Sequence, residues 1–141
     1  MPHEEVLRAR GHEHVAGTHE STFEVTTDDW LTPAGDCIVG VECDRAPADF
    51  DDAFVEACRD AAATVTVELR ADGHEETVTA SGHPELTFES DRSAVVRTSD
   101  YVDDRTVAVG AEAAATDLNR ELVEALSGGA ELTVRLTVRR E

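Results

Sequence analysis

The sequence predicts a single α+β domain over residues 1–141, with mostly antiparallel strands in a sandwich- or barrel-like arrangement, two amphipathic helices and an internal pseudo-two-fold duplication. Three observations predict this class. Most segments alternate apolar and polar residues, two segments have helical periodicity, and the first half of the chain aligns with the second. A chain of 141 residues has the size of one ordinary domain with one core.

Alternation predicts most of the strands. It predicts them at residues 6–10, 22–26, 64–69, 76–80 and 132–138, and less clearly at 86–89, 94–98 and 106–109. The apolar run at 37–41 is typical of a strand buried on both faces. Asp72-Gly73 predicts a tight hairpin, because both central positions of a type I′ turn need positive φ.

Two helices follow from apolar residues at helical spacing. Asp49 is the predicted N-cap of the first helix, and its buried stripe is Phe50, Phe54, Ala57, Cys58 and Ala61. The second helix is predicted at about 117–126, where it buries three leucines and ends before Gly128-Gly129. The three cysteines of the chain are interpreted as small core residues.

The internal repeat relates residues 6–69 to residues 77–136. Gly11-His12 recurs as Gly82-His83, and Trp30 aligns with Tyr101 at the same offset. We expect a superposition of these segments to bring both helices and at least three strands of each half into register. A groove between two such halves is a favoured place for a ligand.

The charge balance indicates adaptation to salt. Acidic residues outnumber basic ones 31 to 12, the net charge is −19, and every basic residue is Arg. Such a charge repels itself, and concentrated salt screens that repulsion. No apolar stretch is long enough to span a bilayer, and the polar N-terminus does not resemble a signal peptide, so a cytoplasmic location is expected.

Histidines are the candidate metal ligands. In an extended segment His12 and His14 point to the same side, so both imidazoles can reach one divalent cation. His19, or His83 from the other half, is the candidate third ligand. The alternative is that these are surface histidines, or histidines hydrogen-bonded within the fold.

A wider candidate binding set combines histidines with aspartates that the repeat relates. If the Gly-His pairs mark a site, His12 and His83 should converge on each other, or on Asp36 and Asp104, around one concave polar surface; His19 belongs to the same set. Asp29, Asp36, Asp100 and Asp104 are possible ligands or bases, although Asp in turns usually bonds its own backbone.

Arginines near the two termini form a possible basic strip. Nucleic acid is an unexpected partner for so acidic a chain, unless the terminal strands pair and present Arg8, Arg10, Arg135, Arg139 and Arg140 together. The alternative is that these arginines pair with local carboxylates. The expected partner is otherwise an unidentified small molecule or protein.

The chain resembles an archaeal family of uncharacterised proteins, domain of unknown function 371. The similar residues are Gly11-His12, Thr18-His19, Leu31-Thr32 and residues 22–26, 35–41, 97–100 and 117–123. The resemblance implies an archaeal origin and a strand-rich, sandwich-like fold with helices packed on it, and it implies no activity. Arg45 stands where the family pattern has Lys, which argues against lysine chemistry here.

Two functions remain open at this point. The leading hypothesis is a non-catalytic or regulatory binding module with a polar groove between the two halves. The alternative is a metal-dependent enzyme that uses His12, His14 or His19 with a partner from Asp36 or His83. Metal retained through purification without chelator would favour the second.

Overall fold

The computed structural model describes residues 3–139, which form eight strands, two α-helices and two short 3₁₀ helices. The strands are β1 (His3–Arg10), β2 (Thr22–Thr26), β3 (Ile38–Gly40), β4 (Thr64–Ala71), β5 (His74–Ser81), β6 (Ser93–Arg97), β7 (Thr106–Ala108) and β8 (Glu131–Arg139). The α-helices are α1 (Asp52–Cys58) and α2 (Arg120–Ser127), and the 3₁₀ helices are Pro47–Asp49 and Ala115–Asp117.

The strands form two sheets of four strands each. The antiparallel sheet has the order β1-β8-β4-β5, and the mixed sheet has the order β3-β2-β6-β7. In the mixed sheet the central β2–β6 pair is antiparallel, whereas both outer pairs are parallel. The α+β class with mostly antiparallel pairing is therefore confirmed. The barrel-like alternative is wrong, because the strands divide into two separate sheets.

An apolar core lies between the inner faces of the two sheets. Alternate residues of the antiparallel sheet, such as Leu7, Val67 and Leu136, face Phe23 and Val96 of the mixed sheet. All of these side chains are buried. The mixed sheet is covered on its other face as well, since every residue of β2 and β6 is buried.

Both helices begin later than the sequence predicts. Asp51, and not Asp49, is the N-cap of α1 and accepts a hydrogen bond from the Ala53 amide. Asp49 instead closes the first 3₁₀ turn, where its carboxylate accepts from the Ala46 amide at 2.9 Å. Asp49 and Asp51 are both suitable capping residues. Pro47 favours a 3₁₀ turn before the α-helix, so Asp49 caps the 3₁₀ turn and Asp51 caps α1.

The second helix shows the same correction. Asn119 caps α2 through its side-chain oxygen, while Asp117 accepts from the Ala114 amide at 2.9 Å in the preceding 3₁₀ turn.

In the first helix, Ala61 lies beyond the C-terminal end and is exposed, so the buried stripe ends at Cys58.

The strand predicted at residues 86–89 is absent. Leu86 and Phe88 are buried, so the alternation is real, but Phe88 has a φ of 53° that a strand cannot accommodate. The alternation there reflects a loop that packs its apolar side chains into the core.

The predicted hairpin is confirmed, with φ of 49° at Asp72 and 80° at Gly73.

Both edges of the antiparallel sheet are covered by loops. Val41 pairs with Arg10 at the end of β1, and the Asp44 amide donates to the Arg8 carbonyl. At the other edge Val109 pairs with Ser81 of β5, and the Glu112 amide donates to the Thr79 carbonyl. Backbone N–H and C=O groups of these edge strands that would otherwise lack hydrogen-bond partners are thereby paired.

Candidate functional site

The two Gly-His pairs lie far apart in the fold. His12 follows the end of β1 and His83 follows the end of β5, and these strands are the two outer strands of the antiparallel sheet. Because neighbouring strands there alternate in direction, the two strand ends lie at diagonally opposite corners. The structure therefore does not bring His12 and His83 together.

Each Gly-His pair also has a structural role in its turn. Nδ1 of His12 accepts the His14 amide and Nδ1 of His83 accepts the Glu85 amide, both at 3.0 Å. The preceding glycines permit close packing on helix ends. A Cβ at Gly11 would overlap the Leu126 carbonyl oxygen, and one at Gly82 would overlap that of Cys58.

The remaining candidate residues are divided between two places. The His19 amide donates to the Asp36 carbonyl at 3.3 Å, and the His19 Nδ1 accepts the amides of Ser21 and Thr22. Asp104 lies elsewhere, where its carbonyl accepts the Ser90 amide at 3.0 Å. His19 and Asp36 are thus neighbours through their backbones, and Asp104 does not join them.

The candidate metal ligands are only partly assembled. The rings of His12 and His14 lie 5.2 Å apart between centroids. Within residues 3–139 the structure contains no group of three or more His, Cys, Asp or Glu side chains that could hold a metal ion.

The arginines near the termini share one face of the antiparallel sheet. β1 pairs with β8, which places Arg8, Arg10, Arg135 and Arg139 on the outer side; Arg140 lies outside the described residues. Carboxylates are interspersed among them. Arg135 contacts Glu4 at 2.6 Å and Glu68 at 3.7 Å, and Arg10 pairs with Glu42.

The face of the mixed sheet that points away from the core is polar although it is buried. Thr22, Glu24 and Thr26 of β2 and Ser93 and Arg97 of β6 are each 9 % exposed or less. Burying such groups is costly unless they find partners, so a polar face of this kind indicates a network or a site.

Two exposed aromatic side chains flank that polar face. Trp30 follows β2 and is 55 % exposed, and Tyr101 follows β6 and is 59 % exposed. They are the exposed large hydrophobic side chains of residues 3–139. Exposed aromatic rings beside buried polar groups are frequent in binding sites.

A cleft of about 280 Å³ lies on the Trp30 side of the polar face. Both halves of the chain contribute to it; the lining residues are Glu24, Thr26, Asp28, Trp30, Leu31, Thr32, Gly35, Ile38, Arg92, Ser93 and Arg105. The lining contains two carboxylates and two guanidinium groups, so the cleft is close to neutral in a chain of net charge −19.

Glu24 is the most buried charged group in the cleft, and its partners are weak. It is 8 % exposed. Its Oε1 accepts from the Cys37 thiol at 3.7 Å and lies 4.0 Å from an Arg105 guanidinium nitrogen. Burial, together with the charge of Glu24, raises the pKa of the Cys37 thiol to about 11, which keeps that donor protonated.

The rim of the cleft is held by a bidentate ion pair. Arg92 donates to both carboxylate oxygens of Asp28, with contacts of 2.7 to 3.1 Å. The Thr26 hydroxyl accepts the Asp28 amide at 3.2 Å, which fixes the start of the loop that carries Trp30.

On the Tyr101 side, Arg97 fills the corresponding space. Its Nε donates to the Thr106 hydroxyl at 2.8 Å, its Nη2 donates to Asp103 at 3.0 Å, and its guanidinium carbon lies 4.9 Å from the Tyr101 ring centroid. Burial would raise the pKa of Asp103, but hydrogen bonds from Arg105 and Thr106 and the charge of Arg97 lower it to about 2.

Sequence reasoning missed the residues that line the cleft. Alternation predicts a strand with one apolar face at residues 22–26, but it does not show that loops cover the other, polar face. One signal was present: the alignment of Trp30 with Tyr101 placed two aromatic residues in equivalent loops.

Comparison with known proteins adds a family. A family model described as Domain of unknown function (DUF371) matches residues 7–139. An uncharacterised protein of Methanocaldococcus jannaschii is 37 % identical over 133 residues, which cover 94 % of this chain and 98 % of the relative. No helix in the described part of the chain is long and apolar enough to cross a membrane.

Proposed function

The chain belongs to the domain of unknown function 371 family. We propose that it is a non-catalytic or regulatory binding module that takes a small charged molecule into the Trp30 cleft. The lining of the cleft supports a groove between the halves as the binding place, because β2 and its following loop supply one wall and Arg92, Ser93 and Arg105 supply the other. The ligand would bring polar groups of its own to Glu24.

The observation that carries the proposal is the incomplete hydrogen bonding of Glu24. A carboxylate buried to this extent normally accepts several N–H or O–H hydrogen bonds. Among residues 3–139, Glu24 has one long thiol contact and one guanidinium at 4.0 Å. Its accepting capacity therefore faces the cleft, where a ligand that carries N–H donors would complete it.

Binding without covalent chemistry fits the groups in and beside the cleft. Cys37 stays a thiol at neutral pH because its pKa is raised to about 11, and a thiol is a poor nucleophile. Arg92 and Arg105 stay protonated and bind carboxylates. These groups recognise charge and do not transfer protons near pH 7.

The experiment uses the single tryptophan of the chain as its reporter. Trp30 lines the cleft, so its emission should change when a molecule binds there. The full chain in molar KCl is titrated with a panel of sugars, carboxylates, amines, amino acids and nucleotides. Metal analysis of the same preparation tests the metal-dependent alternative through His12, His14 and His19.

Glu24→Gln and Glu68→Gln provide the matched comparison. Both replace a strand carboxylate with its neutral isostere, but Glu68 lies on the outer face of the antiparallel sheet. We expect any panel member that binds to lose about tenfold or more in affinity with Glu24→Gln and to be unaffected by Glu68→Gln. A panel with no effect on Trp30, or equal binding to both variants, would contradict the proposal.

We also propose that the two halves arose by duplication. The second half repeats the order of strands and helices of the first, from β5 through α2 to β8. Both sheets place corresponding strands symmetrically, and each half has its 3₁₀ turn closed by an aspartate. The test is superposition of residues 6–69 on 77–136; helices that fall on unrelated sides of the sheet would reject it.

Two properties of the environment complete the proposal. The net charge of −19 with no lysine supports a salt-adapted protein. A cytoplasmic location fits free thiols at Cys37, Cys43 and Cys58. Fractionation of the source cells and the salt dependence of unfolding test these two statements.

A further inference from the structure

We propose that the Trp30 cleft binds a guanidinium group, carried by a small molecule or by an arginine side chain of a peptide, between the indole of Trp30 and the carboxylate of Glu24. This inference rests on the proposed binding function and names the chemical class of its ligand. It follows from comparing the two flanks of the β2–β6 pair.

The two flanks are geometrically equivalent. Glu24 pairs with Val95 at the centre of the antiparallel β2–β6 ladder, and an antiparallel pair has a local two-fold axis between its paired residues. Thr26 lies two residues beyond Glu24, just as Arg97 lies two residues beyond Val95. These two positions are therefore equivalent in the ladder, although the loop from Trp30 to β3 is longer than the loop from Tyr101 to β7.

The aromatic residues obey the same relation. Trp30 follows Thr26 by the same number of residues as Tyr101 follows Arg97, and both rings are exposed beside the sheet. The Trp30 flank thus carries Thr26 at the position where the Tyr101 flank carries Arg97.

On the Tyr101 flank, the protein supplies its own guanidinium. Arg97 is 9 % exposed, its guanidinium lies over the Tyr101 ring at 4.9 Å, and it donates to a hydroxyl and a carboxylate. A cation over an aromatic face with hydrogen-bonded acceptors is a favourable arrangement. This flank shows what such a space accommodates.

On the Trp30 flank, the corresponding space is open. Thr26 is too short to fill it, and the cleft of about 280 Å³ lies there. An acceptor is nevertheless present, because the Glu24 carboxylate takes the position of Val95; Asp28, at the rim, is already bound by Arg92. An indole is also a better partner for a cation than a phenol ring.

Arg105 does not prevent a second guanidinium from reaching Glu24. The Arg105 Nη2 already donates to Asp103 at 3.1 Å, whereas the Arg105 Nη1 lies 4.0 Å from the Glu24 Oε1. Asp103, which also binds Arg97, is thus the nearer acceptor of Arg105, and Glu24 makes only a long contact with Arg105.

A guanidinium fits this space better than an ammonium. It is planar, it stacks on an aromatic face, and it presents paired N–H donors to a carboxylate. An ammonium is a compact and strongly hydrated charge that gains less from the indole face. Arginine-type ligands should therefore bind more tightly than lysine-type ligands.

The probes are L-arginine, N-acetyl-arginine amide, L-lysine and L-citrulline, each titrated against Trp30 emission in molar KCl. Citrulline keeps the length and shape of arginine but is uncharged at the side-chain end. We expect arginine to bind about tenfold or more tightly than citrulline, with lysine between them. N-acetyl-arginine amide distinguishes the two sources of the guanidinium group. Affinity equal to that of L-arginine indicates an arginine side chain of a peptide, and loss of affinity indicates a free amino acid.

Thr26→Arg tests whether the space is the same as that of Arg97. The new side chain should occupy the cleft and abolish arginine binding, whereas Thr79→Arg, on the exposed face of β5, should leave it unchanged. If Thr26→Arg fails to fold, Glu24→Gln replaces it, with an expected loss of about tenfold or more in arginine affinity.

The outcomes separate this inference from the binding function. Equal affinity for arginine and citrulline would reject the guanidinium assignment and retain the binding site. The same conclusion would follow if the emission of Trp30 responded only to compounds of the earlier panel that carry no guanidinium group. A Trp30 emission that responds to no panel member and to none of the four probes would reject both.

Discussion

Glu24 and Arg97 lie on the same buried face of the mixed sheet, and their charges are stabilised to different degrees. Arg97 has a hydroxyl, a carboxylate and an aromatic ring as partners, all supplied within its own half of the chain. Glu24 has a thiol and a more distant guanidinium. Because a buried charge with few partners is destabilising, a bound cation would improve the environment of Glu24.

The contacts of Asp103 with Arg105, Thr106 and Arg97 should make stability depend on acid pH. The folded-state pKa of Asp103 is lowered from 3.8 to about 2, so the carboxylate contributes stability above about pH 4, and this contribution is lost as the pH falls towards 2. We expect Asp103→Asn to reduce the free energy of unfolding by about 1 to 2 kcal/mol at pH 6.

The measurement is urea unfolding of both proteins at pH 6, 4 and 2.5 in constant KCl. The difference between the proteins should shrink with falling pH, because protonated Asp103 resembles Asn. Asp104→Asn, at an exposed neighbour, serves as the control. A difference that stays constant down to pH 2.5 would show that the charge of Asp103 is not what stabilises the site.

At the scale of elements, local pattern predicted most strands and failed where tertiary contacts decide. Alternation located β1, β2, β4, β5, β6 and β8, because each has one face on the core between the sheets. It also predicted a strand at 86–89, where buried Leu86 and Phe88 belong to a loop. Alternation detects burial, and burial does not require a strand.

Local patterns also could not predict where the helices begin or where the cleft lies, because tertiary contacts determine both. Two aspartates precede α1 within three residues, and only the fold determines which one caps the helix. The cleft depends on the loops that cover the outer face of the mixed sheet and on the β2–β6 register, and neither can be derived from spacing. The histidine patterns, in contrast, are local and can be identified in the sequence, although the fold does not bring His12 and His83 together.

The packing of helix ends on glycine gives a prediction at this scale. Gly11→Ala and Gly82→Ala each place a methyl group onto a helix-end carbonyl, at Leu126 and Cys58 respectively. We expect each to lower the free energy of unfolding by roughly 1 to 3 kcal/mol, because the backbone must shift. Thermal and urea unfolding measure the effect.

Gly128→Ala is the matched control, since its Cβ would meet nothing nearer than 3.4 Å. It should change stability by less than about 0.5 kcal/mol. If Gly11→Ala and Gly82→Ala are equally mild, the two Gly-His pairs would need an explanation other than packing.

For the whole molecule, the fold class was predictable but the strand order was not. The pairing of β1 with β8 joins residues at opposite ends of the described chain, and no local pattern encodes it. Charge acts at the same scale, because self-repulsion sums over the entire surface. The nearly neutral cleft and the arginine-bearing sheet face are local exceptions within a net charge of −19.

The charge predicts that salt stabilises the fold. Between 0.1 M and 1 M KCl the Debye length falls from about 10 Å to about 3 Å, so repulsion among the excess carboxylates is screened. The melting temperature should rise over this range. A variant with Gln or Asn at the exposed residues Glu13, Glu20, Asp29 and Asp91 should melt with a weaker salt dependence. Equal slopes for both proteins would show that screening is not the cause.

The position of β8 has a consequence for synthesis on the ribosome. This strand is the last to be translated, yet it lies between β1 and β4 in the finished sheet. Translation proceeds at roughly 5–20 residues per second. Until β8 emerges, β1 and β4 each lack a neighbour, and their apolar faces stay open to chaperones or to other nascent chains. Completion of the antiparallel sheet therefore waits for the synthesis of β8, which the six strands from β2 to β7 separate from β1 along the chain.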